Sequence, residues 1–155
     1  MREWLYNDGN AIVNFSNQIK KGRKMEQGTI SVTTTRKMEL VDITDLVSQE
    51  LLTANVTDGI CYLFNPHTTA ALTINEGADP AVRTDIIKAI GKIIPFDINY
   101  QHLEGNSPSH VLASLFGCSE MIFVENRGLK LGTWQKVFFC EFDGPRSRKI
   151  HWRVA

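Results

Sequence analysis

Two prolines, each one residue past a polar residue, limit what this chain can become. Asp79-Pro80 and Ser107-Pro108 each supply a helix N-cap followed by a proline at the first helical position, where a missing N–H costs nothing. Behind the first, Val82, Ile86, Ile87, Ile90, Ile93 and Ile94 recur at helical spacing until Pro95 stops them. Behind the second, Val111, Leu112, Leu115 and Phe116 form a shorter apolar set that Gly117 closes. A further helix is expected over Asp42–Asn55, with Ile43, Leu46, Val47, Leu51 and Ala54 on one face and Asp42 or Thr44 as N-cap. Strands are expected at Thr29–Arg36, 59–64 (GICYLF), 70–74 (AALTI), Met121–Glu125, Trp134–Phe142 and Arg148–Val154, with turns at Asn126-Arg127-Gly128 and Asp143-Gly144-Pro145. Helices set between strands and a closing run of antiparallel strands predict an α+β fold with two to three helices. Residues 1–26 show no clean period and read as an N-terminal extension, leaving 27–155 as a single domain.

At 155 residues the chain can hold a real core without disulfide or metal staples. Lys+Arg and Asp+Glu are both 17, and a zero net charge argues against a dedicated nucleic-acid binder, which needs a basic surplus facing phosphates. The neutrality is a sum of blocks: Lys20–Lys37 is basic, Glu39–Asp58 is acidic, and Arg146, Arg148, Lys149 and Arg153 follow Gly144 with no acid among them. No apolar run approaches the roughly 18 residues a membrane helix needs, so no membrane partner is expected. Cys61, Cys118 and Cys140 are odd in number, far apart and without a CxxC, as expected of free thiols in a reducing cytoplasm. The start of the chain shows no signal-peptide pattern, which agrees with a cytoplasmic location.

Chemistry is expected on loops and helix starts. His67 follows a strand end, His102 an extended segment, and His110 sits in the first turn or so of a helix, while His151 lies within a strand and is assigned no chemical role. Three histidines on separate loops are the donor set of an open metal site, although their spacing matches no fixed zinc motif; single hydrogen-bonded loop histidines are the plain alternative. Asn75 and Glu76 leave an apolar strand for a turn and are candidate ligands or acid/base groups, with Asp79 beside them. Asn106 and Ser107 deliver a helix N-terminus, a ready anion site. Gly132 permits close backbone approach to a ligand, Thr133 offers a hydroxyl, and Arg146 a planar cation suited to phosphate.

Together these segments carry a resemblance. The run from His67 through Asn75-Glu76-Gly77-Ala78-Asp79-Pro80 to Asp85 resembles the signature of the YjbQ family, also labelled secondary thiamine-phosphate synthase. So do Tyr100-Gln101-His102 with Glu104 to His110, and Gly132-Thr133-Trp134-Gln135 with Glu141 to Arg146. The chain departs from that pattern at Asn126-Arg127-Gly128, where the family has Asn-Gly-Arg, and at Lys136, where a glycine is usual. The resemblance implies antiparallel sheets packed as a sandwich, a homotrimer with clefts between subunits, and the joining of hydroxymethylpyrimidine diphosphate to thiazole phosphate with release of diphosphate. It implies that His67, His102 and His110 are catalytic or bind a divalent metal, zinc or magnesium. It implies a catalytic Glu76, and with the loop chemistry above it places a small phosphorylated substrate on Asn75, Asp79, Asn106, Ser107, Gly132, Thr133 and Arg146. The alternative is a module that binds a metal or phosphometabolite without significant turnover.

Overall fold

Alternation in the last strand shows how the core is built: Arg148, Ile150, Trp152 and Val154 point inward while Ser147, Lys149, His151 and Arg153 face out. The structure is a computed structural model that describes residues 25–155. The expected N-terminal extension lies almost wholly outside the described residues. In chain order the elements are β1 (Gln27–Thr33), β2 (Glu39–Asp42), α1 (Thr44–Thr53), β3 (Gly59–Phe64), β4 (Ala70–Glu76), α2 (Pro80–Ile93), α3 (Ser107–Phe116), β5 (Ser119–Glu125), β6 (Gly128–Leu129), β7 (Gln135–Glu141) and β8 (Ser147–Val154). They form two antiparallel sheets, a five-stranded one in the order β1-β8-β3-β5-β6 and a three-stranded one in the order β2-β7-β4. The fold is α+β with three helices, as expected.

Two apolar layers hold it. Between the sheets, Ile30, Val32, Leu63, Ile122, Val124 and Ile150 meet Leu72, Val137 and Phe139, with Val47 and Leu51 of α1 and its N-cap residue Ile43 closing one side. On the other face of the smaller sheet, Leu40, Ala71, Phe138, Cys140 and Phe142 pack against Ile86, Ile87, Ile90 and Ile94 around α2 and against Leu112 and Phe116 of α3. β7 is therefore buried on both faces, which is why VFFC reads as a continuous apolar run rather than an alternating one. Burial pushes the Cys61 thiol up to about 11 and the Cys140 thiol up as well, so both are inert packing groups; Cys118 is exposed.

Helix ends follow local chemistry. The Asp79 carboxylate accepts the Ala81 amide at 2.8 Å and Pro80 opens α2, as its sequence predicts. Gly117 ends α3 at φ +96°, a backbone conformation that side chains resist. At α1 the N-cap position is Ile43, and Asp42 instead accepts from the Thr44 amide (2.9 Å) and hydroxyl (2.7 Å). The Thr44 hydroxyl in turn accepts the Val137 amide at 2.9 Å, tying α1 to β7.

Several expectations are corrected. The first strand stops at Thr33, because the backbone of Thr35 and Arg36 turns to donate to the Glu39 carboxylate. Trp134 lies in a turn before β7 rather than in the strand. Leu46, Ile93, Val111 and Leu115 face outward, since each helix buries a narrower stripe than its apolar content suggested. The outer face of the larger sheet carries Tyr62, Phe64, Met121 and Phe123, each roughly half exposed on neighbouring positions of β3 and β5.

Candidate functional site

His67 sits on the β3–β4 loop, and a buried asparagine shapes that loop. Asn65 donates through Nδ2 to the carbonyls of Ala70 (2.6 Å) and His67 (3.1 Å), and its Oδ1 accepts the His67 amide at 3.1 Å. The His67 ring is then fixed from β8: Nε2 accepts the Lys149 amide at 2.9 Å. A peptide N–H can only donate, so the ring is neutral with its hydrogen on Nδ1. Burial and the neighbouring Arg148 charge push the His67 pKa below its usual 6.5, in keeping with that bond.

His67 lines a cleft of about 510 Å³ with Thr68, His110, Ser114 and Cys118. His110 also lines an adjoining cleft of about 500 Å³ with Tyr100, His102, Ser107 and Val111. The His102 and His110 rings meet edge to face with centroids 5.4 Å apart, and His102 Nε2 lies 3.8 Å from a Glu104 carboxylate oxygen. His110 thus lines both clefts, with His67 in the first and His102 in the second.

The start of α3 is fastened to the β7–β8 turn. Ser109 donates its hydroxyl to the Phe142 carbonyl (2.7 Å), and Asn106 donates through Nδ2 to Asp143 Oδ2 (3.1 Å) while its own Oδ1 is buried without a partner. Arg146 donates to the same Asp143 oxygen and to the Asp143 carbonyl, both at 2.7 Å. Burial alone would raise the Asp143 carboxyl; hydrogen bonds from Asn106 and Arg146 outweigh it and hold the group below the usual carboxylate range. The helix start offers fewer free donors than expected, because Pro108 has no N–H and the Ser109 amide bonds Asn106 O at 2.9 Å. Asn106 and Arg146 meet at Asp143, which occupies half of the Arg146 guanidinium edge, while Ser107 lines a cleft with His110.

Beneath His67 lies an ion pair that motif reading missed. Arg148 donates to Glu141 from Nε (2.7 Å) and Nη2 (2.6 Å), and also from Nη2 to the Thr69 hydroxyl (2.9 Å); Thr34 donates its hydroxyl to Glu141 at 3.1 Å. Glu141 is 0% and Arg148 7% exposed. This bidentate pair fixes Thr69 at one end of the His67 loop and the Lys149 amide at the other. The signal was present in the sequence: Arg148 falls on the inward parity of β8.

The remaining predicted residues lie elsewhere. Asn75 and Glu76 end β4, where they pair with Lys136 and Gln135, whereas the His67 loop enters the opposite end of that strand. The six residue steps along β4 span about 20 Å. Gly77 sits against the Lys136 stem, closer than any added Cβ would allow, and donates its amide to the Trp134 carbonyl at 2.8 Å. Gly132 donates to Gln135 Oε1 at 2.8 Å, so the Gly132-Thr133-Trp134 turn stands with Glu76. Asp79 is engaged as the α2 cap. Within one chain, Asn75, Glu76, Asp79, Gly132 and Thr133 therefore form a second region, separate from His67, His102, His110, Asn106, Ser107 and Arg146. Among the described residues no three His, Cys, Asp or Glu side chains are grouped closely enough to hold a metal, and His67 already uses Nε2. The open three-histidine metal site is not formed in a single chain.

Comparison with known proteins agrees with the motifs. Residues 28–155 match the family model described as UPF0047 protein YjbQ-like. A UPF0047 protein of Methanocaldococcus jannaschii is 46% identical over 123 residues, covering 79% of this chain and 89% of that protein. UPF0047 protein YugU of Bacillus subtilis is 43% identical, covering 79% and 94%. A crystal structure of a YjbQ/UPF0047 protein from Clostridium acetobutylicum superposes with TM-score 0.79 at 46% identity over 82% of this chain and 98% of that one. A YbjQ-like protein of unknown function from Sulfolobus solfataricus gives TM-score 0.80 at 34% identity, covering 84% and 96%. The motif order, the two-sheet fold and these matches agree: the chain belongs to the YjbQ-like UPF0047 family.

Proposed function

We propose that the two clefts lined by His67, His110 and His102 bind a small phosphorylated substrate, and that the protein is a transferase resembling secondary thiamine-phosphate synthase. The carrying observation is the neutral His67 ring in one cleft and the His102–His110 pair in a second, which His110 also lines and which holds Ser107 of the α3 start. In the reaction, the thiazole nitrogen attacks the pyrimidine methylene carbon, the carbon–oxygen bond breaks, and diphosphate leaves with the electron pair. Negative charge builds on the leaving group, and in this reading Arg146 and the Ser107 amide would meet it. His110 or His102 in its protonated form gives a proton to the departing diphosphate. No step is assigned to a metal held by His67, His102 and His110, because one chain does not group them as ligands; a zinc or magnesium ion would enter with the substrate diphosphate.

No carboxylate lines either histidine cleft, and the one beside a histidine, Glu104, stands 3.8 Å from His102 outside the lining. Two readings follow. In the first, the protein is a homotrimer in which Glu76, with Asn75, Asp79, Gly132 and Thr133, reaches the histidine cleft of a neighbouring subunit. Phe64 supports this, because it belongs both to the cleft and to the apolar outer face of the larger sheet, so a subunit docked there would border the cleft. In the second, the missing carboxylate marks a phosphometabolite-binding module. Incubation with both substrates separates them: diphosphate release that requires both, and that falls at least about 100-fold in His110→Ala, supports the enzyme. Saturable binding without turnover supports the module, and neither binding nor turnover overturns the proposal.

A further inference from the structure

A cleft of about 350 Å³ lies between β2 and the first half of α2, sharing no lining residue with the histidine clefts. Its walls carry two guanidinium groups. Arg83 projects from α2 with its guanidinium carbon 5.7 Å from the centre of the Phe138 ring, which fixes the side chain by cation–π contact and leaves its N–H groups unassigned. Arg36 comes from the β1–β2 connection. Among the described residues neither guanidinium takes part in an ion pair. The one carboxylate in the lining, Glu39, is occupied: it accepts the amides of Thr35 and Arg36 and the Thr35 hydroxyl. The α2 start contributes little, since Asp79 already takes the Ala81 amide. Met38, Leu40 and Ile87 supply an apolar floor.

Two unpaired planar cations facing one cleft over an apolar floor are the recognition chemistry of a small organic oxyanion. The guanidinium fork matches phosphate or carboxylate oxygens, and the floor takes a ring or an alkyl group. We propose that this cleft is a second ligand site, which binds a small molecule by placing its phosphate or carboxylate on Arg36 and Arg83 and its apolar portion on Met38, Leu40 and Ile87. The site stands apart from the proposed reaction and does not depend on it.

The test is amide-resolved NMR titration of the full chain with phenyl phosphate, and separately with benzoate. The site predicts saturable shifts at Glu39, Arg83 and Thr84. The stronger of the two probes identifies the anionic group. Arg36→Gln and Arg83→Gln should each weaken that probe about tenfold, the scale of one charge-assisted hydrogen bond. Arg83→Lys, which keeps the charge and loses the fork, should fall between wild type and Arg83→Gln. Shifts confined to residues around His67 and His110, or unchanged affinity in the Arg36→Gln/Arg83→Gln double variant, would overturn the proposal while leaving the histidine cleft untouched.

Discussion

Three residues carry tests at their own scale. Arg127 occupies the left-handed region at φ +67°, directly after Asn126 at +51°. An L side chain there costs on the order of 1–2 kcal/mol, and glycine avoids the clash at some entropic expense. Arg127→Gly should therefore raise stability by about 1 kcal/mol, read as a higher urea midpoint at unchanged slope. Arg127 thus holds a local backbone strain at this turn. Arg148→Met should cost about 3–5 kcal/mol, because it strands a fully buried Glu141, and Arg148→Met with Glu141→Gln should recover part of that loss. His67 gives a pH signature. Its pKa in the fold lies below the unfolded 6.5, so its contribution is present above 6.5 and is lost as pH falls from there through the lowered value. His67→Gln should flatten that acid-side slope, and the ring should titrate below 6.5 by NMR. Side-chain partnerships such as Nε2 of His67 with the Lys149 amide were not legible beforehand, since they join positions 82 apart whose proximity only the sheet creates.

At the scale of elements, signals with a local cause were legible and those without one were not. The α2 start is written in Asp79-Pro80, and Asp79→Ala should cost about 1 kcal/mol by removing the cap. Measured next to activity, this variant also separates capping from substrate binding: a loss of turnover beyond the loss of fold would show that Asp79 does both. β3 appears at its predicted bounds because a five-residue apolar run between Gly59 and an Asn-Pro turn leaves little choice. β2 and β6 were missed because they have four and two residues and owe their extended form to β7 and β5. The outward-facing Leu46, Ile93 and Leu115 show the limit of period reading, which finds the apolar stripe but not the width that a neighbouring layer covers.

At the scale of the whole molecule, the expected single site divides into two regions at opposite ends of the β4–β7 pair. Spacing in a sequence cannot reveal this, because Glu76 is nine residues from His67 in the chain and a strand length away in space. The outer face bearing Tyr62, Phe64, Met121 and Phe123 is the surface through which the two regions would meet between subunits. Phe123→Glu should convert the proposed trimer to monomer in light scattering after size exclusion, and should abolish turnover without unfolding the chain. A monomeric wild type would sink this assembly.

The central position of β7 also bears on how the chain is made. β2 and β4 both pair with β7, and β1 pairs with β8, so among the strand pairs only β3–β5 and β5–β6 lie wholly before residue 135. A nascent chain leaving the ribosome carries the edges of the smaller sheet long before their middle exists. Closure must wait for β7 and β8, and the apolar faces of α2 and α3 remain without their sheet until β7 is made. Folding should accordingly be late and slow for a domain of this size, as expected where distant pairings dominate. The two strands that complete the two sheets are thus the last two in chain order.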